Sequence, residues 1–254
     1  MAVRHKIGRY GWIPDLPDAR DRVFKVARKG AALPASIDLR RGCPPVYDQG
    51  DLGSCTANAI AAAVEFDQRR QEIPAFTPSR LFIYYNERAL EGTISTDAGA
   101  MLRNGIKTVA SDGACSEAMW PYLEPKFADR PAAPCYKAAK AHPAVQYSRV
   151  AQYIGDLKTC LAAGFPFVFG FTVYESFESD EVAHSGQGEL PDESETSLGG
   201  HAVMAAGYDD ASARFLVRNS WGTDWGMGGY FTLPYAYVAD SNLADDFWTI
   251  RVVR

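Results

Sequence analysis

Residues 49–59 read QGDLGSCTANA, and one cysteine, Cys55, stands in the middle of them. Gly50 and Gly53 precede it and suit a turn. After it, CTANAIAAAVEFDQRRQ places Ala57, Ile60, Ala61 and Val64 at i, i+3, i+4 and i+7, one face of a helix. Arg69 and Arg70 close the run, where cations suit the helix dipole. The spacing predicts a helix from 55 to about 71 with a thiol in its first turn. A helix N-terminus and a nearby imidazolium both lower a thiol's pKa. A lone cysteine is more often buried and inert, so its chemistry depends on partners elsewhere in the chain.

Four histidines are available: His5, His142, His184 and His201. Only His201 lies in a strand-like apolar context beside glycines, in GGHAVMAAGY. Asn219 follows in RNSWGTDWGMGGY. A nucleophilic thiol needs a base to hold its proton and a third group to orient that base. An asparagine side-chain oxygen does this by accepting a hydrogen bond from the imidazole. Each motif alone is weak, because a strand histidine is more often structural.

Taken together, QGDLGSCTANA, GGHAVMAAGY and NSWGTDWGMGGYF resemble the three catalytic blocks of papain-like cysteine peptidases, in the family's order. LPASIDLR, at 33–40, is similar to the opening of the family's mature domain, and the whole chain looks like a bacterial branch of it. The resemblance implies an α+β, papain-like fold of two subdomains, one helical and one β-barrel-like, with the active-site cleft between them. It implies catalytic roles for Cys55 as nucleophile, His201 as its ion-pair partner and proton donor to the leaving amine, and Asn219 as the residue orienting His201. Gln49 and the Cys55 backbone N–H would bind the oxyanion, and Trp221 would shield the imidazole's hydrogen bond. Gly99 would offer backbone hydrogen bonds to substrate. Ala100 and Met101 would border the pocket for the second residue before the scissile bond, although Met101 also suits plain core. Gly170, Gly199 and Gly200 would line the same cleft. Such a pocket is expected to be apolar and open, with modest selectivity.

Two residues depart from the family pattern. Leu52 stands where the family usually has a cysteine, so the disulfide that braces the catalytic loop cannot form and bracing falls to packing. Thr56 stands where an aromatic is usual. The five cysteines are odd in number, so at least one is unpaired within the chain. Cys115 and Cys135 are candidates for a bridge; Cys43 and Cys160 can be free.

The remaining chain divides by texture. Residues 1–36 carry Pro14, Pro17 and Pro34 among mixed charges and show no clear period. They read as an extended, pro-like regulatory segment. Tyr10, Trp12, Ile13 and Phe24 would gain by docking on the main domain, although a mobile tail is the alternative. Docked over the cleft, the segment would dampen activity. The peptidase domain is expected at 37–254, its helical part mainly 50–130 and its β part mainly 140–254. Further helices are predicted at 77 to about 90, with Thr77 as N-cap and Pro78 first, at 99–112 and at 156–163. FPFVFGFTVY, HAVMAAGYDD, ARFLVRNSWG, GGYFTLP and DFWTIRVV read as strands. Residues 175–198 hold eight acidic residues and no Lys or Arg. They read as a solvated loop or as a cleft rim that prefers basic substrates.

Hydrophobic residues make up 47% and charged residues 22%, with a net charge of −5. An acidic chain argues against nucleic acid or an anionic membrane as main partner. The expected partners are a peptide or protein substrate and the chain's own N-terminal segment, in a monomer. No cofactor or metal is expected. No apolar run follows the basic N-terminus, so no secretory signal is expected and localisation is left open. The same Cys–His pair would also serve acyl transfer to amines. A peptide-binding relative without catalysis is the third alternative, though it predicts a broken triad.

Overall fold

Helix α1 (Cys55–Arg70) begins at the cysteine, as its spacing predicts. The computed structural model describes residues 10–25, 32–141 and 145–252; His5 and His142 lie outside them. Every α1 residue from Cys55 to Gln68 is buried, so the helix is enclosed on all sides rather than on one face. Its polar residues are correspondingly paired. Glu65 accepts from Tyr47 at 2.7 Å, Asp67 from the Val252 N–H at 2.7 Å, and Asn58 donates to the Ser54 carbonyl at 2.9 Å. Thr56, in place of the usual aromatic, donates its hydroxyl to buried Glu87 at 2.7 Å.

Helix α2 (Arg80–Glu91) starts later than its sequence suggests. Ser79, not Thr77, is the N-cap, its hydroxyl accepting from the Phe82 N–H at 3.1 Å. Thr77 and Pro78 form an extended lead-in: Pro78 bridges to Ser116, and the Thr77 carbonyl accepts from Glu117. Helix α3 (Leu102–Asp112) also starts late, because Ala100–Met101 form strand β3 instead. Shorter helices α4 (Ala133–Ala139) and α5 (Ile154–Ala162) follow.

Strands β4 (Val145–Arg149), β5 (Phe167–Tyr174), β6 (Ser197–Asp209), β7 (Arg214–Arg218), β8 (Tyr230–Pro234) and β9 (Ala244–Val252) form a sheet in the order β4-β9-β5-β6-β7-β8. Strand β2 (Ser36–Asp38) pairs with the end of β6, completing seven antiparallel strands. Successive side chains of a strand point to opposite faces. Thus Phe167, Phe169 and Phe171 enter an aromatic core on one face, while Val168, Ala202 and Met204 pack toward the helices on the other. Both faces are covered, which is why FPFVFGFTVY is apolar almost throughout. Helix α7 (Tyr235–Ala239) closes the sheet's far side.

The acidic stretch is partly ordered rather than a plain loop. Residues Glu175–Glu178 make a 3-10 turn and Asp180–Ser185 form helix α6, capped by Ser179, with Phe177, Val182 and Ala183 buried beneath. The described part of the N-terminal segment is docked. Its strand β1 (Trp12–Ile13) pairs in parallel with β3, Trp12 opposite Ala100 and Ile13 opposite Met101. Val23 and Phe24 continue against Arg149 of β4.

Candidate active site

Four segments converge on Cys55. The first is its own loop. Gln49 is fully buried and held by both ends of its amide. Its Oε1 accepts from the Ser220 hydroxyl at 2.7 Å, and its Nε2 donates to the Leu52 carbonyl at 2.9 Å. A side-chain amide has two N–H groups, so one remains to aim elsewhere. Leu52 is buried in the helical core, so packing and this hydrogen bond brace the loop.

The second and third segments come from the sheet. His201 lies on β6 opposite Phe171, and its Nε2 is 2.8 Å from Asn219 Oδ1, just past the end of β7. The Ser220 backbone N–H also donates to that Asn219 atom at 2.8 Å, which identifies it as the oxygen. His201 Nε2 therefore carries the proton, and Nδ1 is left as a basic nitrogen without a hydrogen bond. Trp221 is buried and stacks on the imidazole, with ring centroids 4.8 Å apart and planes 29° apart. It belongs to the aromatic cluster with Phe177 and Trp225. The backbone N–H of Ala202, next to His201, points at the Cys55 sulfur, so thiol and imidazole lie on facing walls.

The fourth segment is residues 10–15. Gly11 sits directly over the thiol. Its N–H points at the sulfur, and its carbonyl accepts from the Ala100 N–H at 2.8 Å. A Cβ on Gly11 would fall 1.7 Å from the Gly53 carbonyl oxygen, so only glycine fits here. Tyr10 leans over the imidazole, edge-on to His201 at 6.1 Å and to Trp221 at 6.4 Å, and its phenol donates to Glu178 at 2.6 Å. Trp12 lies on the other side of the thiol. Its ring fills the space a Cβ would take at both Gly170 and Gly200, and its indole N–H donates to Asp246 at 3.1 Å.

Every glycine expected to line the cleft is thus covered by these three residues: Gly99 by Gly11, Gly199 by Tyr10, Gly170 and Gly200 by Trp12. Ala100 borders the Trp12 site, whereas Met101 lies one position further on, opposite Ile13. The pocket is not purely apolar, because a carboxylate closes it. Between β5 and β9, Val168 faces Trp248 and Gly170 faces Asp245, so β9 carries an extra residue. This bulge, with Asp246 at φ +60°, turns the Asp246 side chain inward. Nothing local in DFWTIRVV marks that turn. Glu178 was equally unmarked among its acidic neighbours.

Burial sets the charge state of the seated site. It pushes the Cys55 thiol up to about 12, against the pull of three backbone N–H groups. It pulls the His201 imidazole down to about 4, against the Asn219 hydrogen bond. Both shifts favour the uncharged forms. The five cysteines are all free thiols here, and the bridge considered for Cys115 and Cys135 is not formed. Burial first, then its neighbour Cys135, raises Cys115 to about 12. Among the described residues no three His, Cys, Asp or Glu side chains converge as metal ligands.

Comparison with known proteins shows which sequences and structures the chain is similar to. The model of the family described as papain family cysteine protease covers residues 33–247. An uncharacterized peptidase C1-like protein of Acanthamoeba polyphaga mimivirus is 43% identical, over 96% of this chain and 87% of its own. Cathepsin B-like CP3 of Giardia intestinalis is 30% identical, over 79% of this chain and 69% of its own. Among solved structures, xylellain, a cysteine protease from Xylella fastidiosa, superposes with a TM-score of 0.91 at 46% identity, covering 100% of this chain and 99% of that one. A procathepsin B from Trypanosoma congolense shares the fold at a TM-score of 0.69 and 18% identity, over 92% of this chain and 83% of that one.

Proposed function

From the premise that the chain belongs to the papain family of cysteine proteases, we propose that Cys55, His201, Asn219 and Gln49 hydrolyse peptide bonds and that residues 10–25 hold them latent. The observation that carries this is the His201–Asn219 pair, with Nδ1 left basic on the side facing the thiol. With the cleft open, Nδ1 takes the thiol proton and the thiolate attacks the substrate carbonyl carbon. The oxyanion is met by the remaining Gln49 N–H and by the Cys55 backbone N–H, one of the unbonded donors of a helix start. Collapse expels the amine, which takes its proton from His201, and leaves a thioester on Cys55. Water, deprotonated by His201, then attacks the thioester, and the acid product leaves as the thiol is restored. Asn219 keeps the ring in one tautomer through each transfer.

Latency is supported in three ways. Gly11 lies against the Gly53 carbonyl, with its N–H toward the Cys55 sulfur. Burial under the segment favours the neutral thiol and neutral imidazole over the reactive ion pair. The third support is polarity. The leaving amine is the group that takes a proton from the imidazole, so the leaving side of the cleft is the His201 side. In a cleavable peptide the residues there follow the scissile bond. In the segment, Tyr10 on that side precedes Trp12, so the segment lies backwards and offers no correctly directed bond.

The test is peptide hydrolysis by the full chain and by a chain lacking residues 2–32, with the fold of both checked by circular dichroism. Activity and iodoacetamide labelling of Cys55 should both rise on deletion, and Cys55→Ala should lower hydrolysis more than about a thousandfold. Unchanged activity in a folded truncated chain would overturn the latency. Full hydrolysis by Cys55→Ala would overturn the nucleophile.

A further inference from the structure

The seated segment is a ligand already in place, and its contacts report what each side of the cleft binds. On the imidazole side that contact is the phenol of Tyr10 on Glu178. Glu178 ends the 3-10 turn that opens the acidic stretch and is half-buried there. Three other carboxylates of the stretch bond groups of the protein outside the cleft. Glu175 accepts from the Thr196 N–H, Glu195 from the N–H groups of Ser176 and Asp192, and Glu189 pairs with Arg214. Glu178 reaches the side chain that covers His201.

We propose that Glu178 selects the residue immediately after the scissile bond, favouring peptides with Arg or Lys there, and Tyr next, over aliphatic or acidic side chains. This rests on the peptidase reading above, which makes the His201 side the leaving side. A substrate must displace Tyr10, and the residue that replaces it meets the same carboxylate beyond the Trp221 and His201 rings. An aliphatic side chain would forfeit the hydrogen bond that Tyr10 now makes to that carboxylate. An acidic one would add repulsion within a stretch that holds no Lys or Arg. A guanidinium or ammonium has the reach of a tyrosine, supplies the donor and adds charge attraction. Its stem packs on the apolar ring walls.

The measurement uses the full chain and matched peptides differing only in the residue after the cleaved bond: Arg, Tyr, Leu and Glu. The ratio of kcat/KM between two peptides on one preparation does not depend on how much enzyme is seated, since that fraction cancels. Arg should exceed Leu about tenfold, with Glu lowest. Glu178→Gln should reduce the Arg preference several-fold, and Glu178→Leu should abolish it. An Arg-to-Leu ratio unchanged in both variants would overturn the proposal. A second series needs no turnover: protection of Cys55 from iodoacetamide in the full chain carrying Tyr10→Arg or Tyr10→Leu. Arg should protect better than Leu, and the difference should vanish with Glu178→Leu. Equal protection by both overturns the selection of a donor. If no peptide is cleaved while Cys55 still labels, the peptidase reading fails, and the alkylation series alone decides what this site binds.

Discussion

On one side of the thiol, Trp12 is buried between two glycines and bonded to a buried carboxylate; on the other, Tyr10 is half-exposed and held by one half-buried carboxylate. Beyond Trp12 the anchoring deepens. The Asp15 side chain is fully buried, accepting from the Trp248 indole at 2.9 Å and the Arg103 N–H at 3.0 Å. Arg149 sits among Asp15, Asp21, Asp245 and Asp246, at 3.2–3.4 Å from each, and Arg103 pairs with Asp21 at 2.6 Å. Nothing comparable ties down the Tyr10 side among the described residues. Among the described residues, the segment is tied down by more contacts on the Trp12 side than on the Tyr10 side. It should therefore open from Tyr10 first, uncovering His201 while Trp12 still holds.

The strongest way to break that asymmetry is Trp12→Ala. Truncating a buried Trp costs about 3–5 kcal/mol, so seating should weaken by roughly a hundredfold or more. Peptide hydrolysis by the full-length variant should rise toward that of the truncated chain. A rise no greater than that of Tyr10→Phe would reverse the comparison.

An intermediate effect is expected from pH. Burial, and then the charge of Asp15, push the Asp246 carboxyl up to about 7. Its other facing charges are Asp245 on its own strand and Arg149 on β4, while Asp21 on the segment pairs with Arg149 and with Arg103 on α3. With the segment gone, Asp15 and the cover of Trp12 go too, and the carboxyl returns toward its ordinary range. Seating thus takes up a proton: it is tightest below the ordinary carboxylate range and weakens as pH rises to about 7. Between about pH 5 and 8 the thiol and imidazole share one proton in both the neutral and the ion-pair form, so they add no slope. Latency, read as the activity ratio of Trp12→Ala to wild type, should fall up to several-fold between pH 5.5 and 7.5. Asp246→Asn should flatten that dependence. A latency that grows with pH would contradict the sign.

Tyr10→Phe should have the smallest effect. It removes one hydrogen bond to a half-buried carboxylate, about 1 kcal/mol, so background hydrolysis should rise only about fivefold. The alkylation rate of Cys55 provides the same comparison without substrate.

How much of this could be read in the sequence follows the range of each interaction. The start of α1 at Cys55 was legible because glycines, helical spacing and terminal arginines all sit within twenty residues of one another. The strands were legible because burial of both faces leaves an apolar run. The start of α2 was misplaced because Thr77 and Ser79 are both good caps, and the choice was made by distant residues 116–120. The start of α3 was misplaced because the partner that makes Ala100–Met101 a strand lies in the N-terminal segment. In the site, Cys55, His201, Asn219 and Gln49 stood out through their motifs. Asp246 and Glu178 did not, because a bulge and a short turn, both set by tertiary pairing, decide where they point.

The loop of residues 49–54 leads directly into α1 at Cys55. Many folds hold such a loop with a covalent cross-link, whose failure depends on the redox state of the surroundings. Here Leu52 fills that place with a buried side chain and a carbonyl bonded to Gln49. A reductant has nothing to cut there. The geometry around Cys55 should survive strong reducing agents unchanged and loosen instead with heat, as packing does.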